Sequence, residues 1–499
     1  MGVIQKQSIQ STFIIVFGFA IGAFNLIIFA PKILTARELG LTRIITDAGM
    51  TLAALCTLGC IPVINKFFPF YKSYLQPKKN DLPFITLVVC MIGFVIMCFA
   101  GYGARDFVVR KFSERSPLFV EYSYLVYPFA FFWLLFMWLE SFSWSFRKGV
   151  ISNALKETLA RVFFFVLLLA FSYQLISLHH FFTLFSFLYL IPVIVLFFIL
   201  RKTGAFMFVN SISPVTSRLK GKMINFGLFV FGAQFLNLLS RTVDTFILAS
   251  KSERGLEDAA VFTIATYVIA LMEIPQRSIT SISVPVLAES WKNKETKRIS
   301  NIYTKSVSNL LVIGLGLFGL IWLNIHNLAG YLGKDFAGIE AIVLFMGVGK
   351  LIDLGTGANS QIIATSSYWK VDFTTNVIYT LIALPLNYIL IDHYGLMGAA
   401  YAFLISLAVF NSMRFGFLWI KFGFQPYTFK SLLAILIAAI CCLITYYIPK
   451  VPSVIADTVV RSITFLSLFL PSMYFATISE EINQIIRNFL KTISFRSDN

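Results

Sequence analysis

Apolar stretches of about twenty residues, the length needed to cross the hydrocarbon core of a bilayer, recur about fourteen times along this 499-residue chain. They centre near positions 19, 54, 93, 129, 164, 190, 236, 271, 313, 352, 381, 408, 438 and 467. Inside lipid a backbone N–H or C=O finds no water, and a helix is the structure that satisfies these groups within one segment. The expected fold is therefore an all-α polytopic membrane protein with about 14 transmembrane helices. Hydrophobic residues make up 58% of the chain and charged residues 13%, which leaves little sequence for a soluble domain. The first stretch, about 8 to 30, is longer than a signal-peptide core and has no small-x-small cleavage site after it, so it is expected to persist as a helix.

The net charge of +17 does not imply a nucleic-acid surface, because the basic residues are scattered through short connections. With both termini cytoplasmic, Lys and Arg favour the cytoplasmic connections by about two to one, as a multi-pass plasma-membrane protein requires. The connection carrying Arg105, Arg110, Lys111 and Arg115 runs against that bias. Cys56, Cys60, Cys90, Cys98, Cys441 and Cys442 all fall in apolar stretches and read as small buried hydrophobes. His179, His180, His326 and His393 are spread over three outer connections, so no metal site is expected.

Polar residues inside the apolar stretches carry most of the functional information. Gln234, Asn237, Arg241 and Asp244 are spaced three, four and three apart, which puts them on one helical face. In the next stretch Glu273 and Arg277 stand one turn apart around Pro275, with Thr266, Ala270 and Thr280 on the same stripe. A charge at bilayer depth costs about 2.5–3.5 kcal/mol on insertion scales, so such faces turn toward a bundle interior or a watery cavity. The two segments are expected to wall a polar cavity. Five pairs recur at helical spacing: Arg43 with Asp47, Glu157 with Arg161, Arg241 with Asp244, Glu273 with Arg277, and Lys350 with Asp353. Each pair either neutralises itself to lower the insertion cost or rearranges during transport, freeing a cation for an anionic substrate. For Glu157 with Arg161 neutralisation is the expected reading, and Glu140 is expected to snorkel to an interface. Arg414 has no acid near it in sequence and needs a partner elsewhere.

Glycines mark helix contacts. Gly18 and Gly22 form a small-xxx-small face for a close neighbour. The GxGxxG at Gly314, Gly316 and Gly319 sits inside an apolar stretch, without the strand-turn-helix context of a dinucleotide site, and reads as helix packing. The glycines around Lys350 and Asp353 suggest a loosened helix, and Asn376, Pro385 and Asn387 follow in the next stretch. No Walker A motif or nucleophile-base constellation is present, so an enzyme is not expected.

Val16-Phe17-Gly18 with Asn25-Leu26 is echoed by Val230-Phe231-Gly232 with Asn237-Leu238, and Pro69 by Pro285, at a nearly constant offset. A duplicated six-helix unit explains this register. The expected organisation is an N-terminal half at 1–201, a cytoplasmic connection at 202–221, a C-terminal half at 222–421, and two further helices with a tail at 422–499.

Fourteen stretches, a doubled six-helix unit and charges in the first helices of the second half together resemble the oligosaccharide flippases of the multidrug/oligosaccharidyl-lipid/polysaccharide exporter superfamily. Leu34-Thr35-Ala36-Arg37-Glu38-Leu39-Gly40, followed by an apolar stretch with Leu58-Gly59, is similar to the start of O-antigen and capsule repeat-unit flippases. The resemblance implies movement of an undecaprenyl-diphosphate-linked oligosaccharide across the plasma membrane, with membrane lipids and polysaccharide-assembly proteins as partners. It also implies cavity cations at Arg43 and Arg277. The first stretch has no Lys or Arg between Lys6 and Lys32, which departs from flippases of the peptidoglycan precursor. Combined with the polar stripes, the resemblance nominates Arg43, Gln234, Asn237, Arg241, Arg277 and Lys350 for substrate. Asp244, Glu273 and Asp353 are nominated for a coupling H⁺ or Na⁺, with no organic cofactor. A multidrug exporter of the same superfamily and a membrane polymerase or ligase remain the alternatives.

Overall fold

The computed structural model describes residues 3–146, 148–204, 206–481 and 483–484. The side chains of residues 3–12, 233–237, 239–241, 278 and 281 lie outside the description. All regular structure among the described residues is helical. Among the described residues nine helices are long and apolar enough to cross a membrane, or ten when a pair bent by 51° counts as one span. One of them, Trp369–Phe422, carries two of the expected centres, because it turns back at Gly395 (φ 54°). The chain divides into two compact units, Met1–Thr263 and Ile264–Asn499.

The first unit begins with α1 (Val3–Ala23), which continues through a π turn at Phe24–Phe29 to Ile33. It is followed by α2 (Ala36–Cys56), α3 (Cys60–Tyr74), α4 (Leu82–Gly103), α5 (Val126–Ser145), α6 (Ala160–Ser172), α7 (Leu190–Arg201) and α8 (Pro214–Lys251). The bent pair comes next, α9 (Leu256–Ala270) and α10 (Glu273–Lys292). Helix α2 packs on α5, and α8 packs on α2 and α3. The break between α2 and α3 is made by Leu58 and by Gly59 in the left-handed region (φ 82°), and a Cβ on Gly59 would strike the Gly227 backbone of α8.

The Thr35–Gly40 segment has a mechanical role. Thr35 and Glu38 form a reciprocal capping box, with the Thr35 N–H donating to Glu38 Oε2 at 2.8 Å and the Glu38 N–H to Thr35 Oγ1 at 3.3 Å. Arg37 pairs with Glu257 at 2.7 Å, and a Cβ on Gly40 would meet the Leu256 carbonyl. The segment therefore seats the start of α2 against the start of α9.

Gly18 and Gly22 give the close approach expected of them. A second π turn, Ala154–Leu159, leads into α6 and packs against α1, so that a Cβ on Gly18 would meet the Glu157 carbonyl and one on Gly22 would lie 2.8 Å from Arg161 Nε. Buried Asn25 donates to the Arg161 carbonyl at 2.8 Å. Glu157 and Arg161 pair with each other at 2.8 Å. Glu140 departs from expectation. It is 5% exposed and lies 3.5 Å from Lys156, so its carboxylate is buried beside a local cation and does not reach out to solvent.

The second unit contains α10, α11 (Thr296–Leu332), α12 (Ile339–Gly355), α13 (Asn359–Thr365), α14 (Trp369–Phe422), α15 (Phe429–Tyr446) and α16 (Val454–Phe475). Phe465 and Phe469 of α16 pack on α11, where Gly319 and Gly316 leave room for their rings. The GxGxxG is thus a helix-packing surface. Buried Arg461 binds Asp457 at 2.7 Å and donates to the Thr445, Tyr446 and Ile448 carbonyls, capping the end of α15.

Gly40→Ala is expected to destabilise the protein by about 1–3 kcal/mol through overpacking. Arg37→Ala, at a side chain 72% exposed, should cost less than about 1 kcal/mol. Melting of the two purified variants in detergent checks the order; equal losses would contradict the seating role of Gly40.

Candidate functional site

Charged residues gather in each unit on helices that face one another. In the first unit Arg43 and Asp47 of α2 form an ion pair at 2.8 Å, and Asp47 is 3% exposed. Thr245 of α8 lies beside the Asp47 carboxylate, and Thr51 and Thr242 approach to 3.4 Å. The carboxylate of Asp244, also on α8, lies near both Asp47 and Arg43. Among the described residues nothing hydrogen-bonds Asp244 Oδ1. The Arg43 guanidinium thus stands against two acids. The side chains of Gln234, Asn237 and Arg241 lie outside the described residues.

The second unit holds a larger network. Lys350 of α12 is 6% exposed, and its ammonium lies 2.8 Å from Asp353 Oδ2, 3.2 Å from Glu273 Oε1 and 3.1 Å from Gln276 Oε1. Glu273 also pairs with Arg277 at 3.1 Å through its other oxygen. One carboxylate therefore bridges cations on α10 and α12. Glu273 occupies the first turn of α10, immediately after the bend, where free N–H groups favour a negative charge. The backbone bends ahead of Pro275, between Ala270 and Glu273, and Pro275 itself fits the first turn, where no N–H is needed.

Asp353 is held on every side. Its Oδ2 accepts from Gln276 at 3.2 Å, and its Oδ1 accepts from Asn411 at 3.1 Å. Asn411 Oδ1 in turn accepts from Thr356 at 2.7 Å and from Asn359 at 3.0 Å. Four charges, Lys350, Arg277, Glu273 and Asp353, close to neutrality within this cluster. Asp353 is held by the buried side chains of Lys350 and Asn411 and by half-buried Gln276, whereas Glu273 and Arg277 have side chains 37% and 68% exposed.

Arg414 finds the partner that the sequence left unnamed. It pairs with Asp372, near the start of the same long helix, because the reversal at Gly395 brings the two arms of α14 together. Its guanidinium also lies 3.9 Å from the Phe410 ring centroid and donates to Thr375 at 3.3 Å. Gln276 and Asn411 are the site residues that spacing did not reveal. Each is one polar residue among apolar neighbours, and its importance comes from a contact between helices far apart in sequence.

A cleft of about 570 Å³ lies between Lys32–Ile33 and Phe171–Ser177 and shares no residue with either cluster.

Lys350→Met would leave Asp353 and Glu273 without their shared cation and is expected to cost about 3–5 kcal/mol. Adding Asp353→Asn should recover more than half of that loss. A fall in melting temperature that the second substitution does not reverse would contradict the pairing.

No protein-family model matches the chain. No curated protein matches it either. Solved structures do. The chain is similar to the lipid II flippase MurJ in an inward closed conformation, with a TM-score of 0.73 at 14% identity over 94% of this chain and 98% of that one. It is similar to an inward-facing multidrug-resistance MATE transporter of the MOP superfamily, with a TM-score of 0.59 at 17% identity, covering 81% of this chain and 93% of that one. A MOP superfamily transporter from Pyrococcus furiosus, described as having a binding pocket of reversed polarity, gives 0.55 at 14% identity, over 86% and 98%. The chain has the fold of these membrane transporters.

Proposed function

We propose that this chain is a transporter that moves a lipid-diphosphate-linked oligosaccharide across the plasma membrane by alternating access, for assembly of a cell-surface polysaccharide. The observation that carries the reading is the pair of cations, Arg277 on α10 and Lys350 on α12, set around one half-exposed carboxylate. A diphosphate is a multivalent anion with oxygens that can accept from a guanidinium and an ammonium together, and charge-assisted bonds of this kind are about twice as strong as neutral ones. The likeness to the lipid II flippase supports a lipid-borne substrate. The lack of Lys and Arg between Lys6 and Lys32 favours a repeat unit other than the peptidoglycan precursor. On sequence grounds Arg43 and Arg241 are the further cations we nominate for the head group, and Gln234 and Asn237 the residues for its sugars. The prenyl chain stays in lipid, where its methylenes lose nothing.

A second reading has its own support. Asp47 and Asp244 place two acids beside Arg43, as a cation-coupled multidrug exporter would use, and the MATE likeness fits it. Under either reading Asp244 is the residue we assign to a coupling H⁺ or Na⁺.

Reconstitution of the full chain into liposomes with an undecaprenyl-diphosphate oligosaccharide separates the two. Wild type should expose the head group on the far leaflet, and Arg277→Ala should reduce the rate by at least about tenfold, the loss of one charge-assisted contact. Cationic dye movement with no lipid translocation would favour the exporter instead.

A further inference from the structure

The acids of the second unit are not equivalent, and the difference assigns them separate roles. Asp353 is enclosed by Lys350, Gln276 and Asn411, and Asn411 is fixed in turn by Thr356 and Asn359. Releasing Asp353 would take an acceptor from Lys350, Gln276 and Asn411 together, each at a cost. Glu273 has none of this enclosure. Its side-chain partners among the described residues are the two cations, Arg277 at 3.1 Å and Lys350 at 3.2 Å, and its side chain is 37% exposed. Glu273 shares only Lys350 with the contacts that hold Asp353, so its displacement leaves the Gln276 and Asn411 bonds to Asp353 in place.

We infer that the Glu273 carboxylate is a resident stand-in for the substrate's phosphate, occupying an anion site formed by Arg277, Lys350 and the first turn of α10 until a phosphate group displaces it. The inference rests on the anionic-lipid reading above and changes the role of one residue within it. Glu273, nominated from sequence for a coupling cation, becomes the built-in competitor of the substrate. Lys350 already supplies the positive charge between Glu273 and Asp353 that a coupling ion would bring, so neither acid is open to a second cation.

The arrangement has a physical rationale. An empty site with Arg277 and Lys350 facing each other would hold two like charges at bilayer depth, which is costly. The resident carboxylate removes that cost while no substrate is present. It also weakens apparent affinity by the fraction of time it occupies the site, so a bound head group remains releasable. A carboxylate carries one charge and two acceptor oxygens on a planar group. A diphosphate offers more charge and more acceptors, which gives it the advantage in exchange.

The test is binding to the purified full chain in nanodiscs, with inorganic pyrophosphate and farnesyl diphosphate as probes and farnesol as the uncharged control. Glu273→Gln should tighten binding of the diphosphate probes by about tenfold or more, leave farnesol unchanged, and lose the gain when Arg277→Gln is added. Glu273→Asp keeps the charge but is one methylene too short to reach both cations, and it should tighten binding by a smaller factor. This second variant also serves if the amide variant folds poorly. A gain with both diphosphates assigns recognition to the phosphates themselves; a gain with farnesyl diphosphate alone assigns it to the lipid head group, and either supports the exchange. If wild type binds the probes and both Glu273 variants bind no more tightly, the stand-in role is overturned while the anionic-lipid reading stands. If no form of the protein binds either diphosphate, that reading fails and the inference fails with it.

Discussion

Burial of charge in a chain built for lipid is the constraint on which the rest of the structure depends. A lone ion at the centre of a bilayer is expensive, and the acids described at the candidate sites are answered by a base or by a set of donors, except Asp244, which shares Arg43 with Asp47 and has nothing among the described residues bonding its Oδ1. Arg43 meets Asp47, Arg161 meets Glu157, Lys350 meets Asp353 and Glu273, Arg414 meets Asp372, and Arg461 meets Asp457. These pairs differ in what surrounds them. Arg461 is committed to carbonyls at a helix end, and Arg414 to a hydroxyl and a ring face. Such enclosure is the mark of a structural pair. Glu273 with Arg277 lacks it.

The helices are arranged to make such contacts possible. The bend between α9 and α10 sets Glu273 in a first turn, where the helix dipole favours its charge. The reversal at Gly395 lets residues on two arms of α14 meet. Close helix approach elsewhere depends on small residues: Gly40 against Leu256, Gly18 against Glu157, and Gly319 against Phe465. Without Cβ atoms at those points the backbones come near enough for side chains such as Asn25 to reach across. Dispersion between closely packed helices then supplies the attraction that the hydrophobic effect does not provide in lipid.

Much of this was legible in the sequence because lipid imposes a simple rule on composition and length. The all-helical fold, the packing role of Gly18, Gly22 and the Gly314–Gly319 run, and the pairing of Arg43, Arg161, Arg277 and Lys350 with acids one turn away follow from period and spacing alone. Contacts between distant segments did not. Spacing pairs Lys350 with Asp353, yet nothing in it brings Glu273 from α10 to the same ammonium. Asn411, one amide in an apolar stretch, gave no sign that it would hold Asp353, and Glu140 looked interfacial until its neighbour Lys156 was in place. Local periodicity specifies which face a residue occupies, while tertiary packing decides what that face meets.

The most direct measurement is an experimental structure of the full chain in a lipid nanodisc with undecaprenyl-diphosphate oligosaccharide bound. The account predicts phosphate oxygens within hydrogen-bonding distance of Arg277 and Lys350, with the Glu273 carboxylate turned away and the Asp353 cage unchanged. A head group bound elsewhere, with Glu273 still bridging both cations, would contradict it.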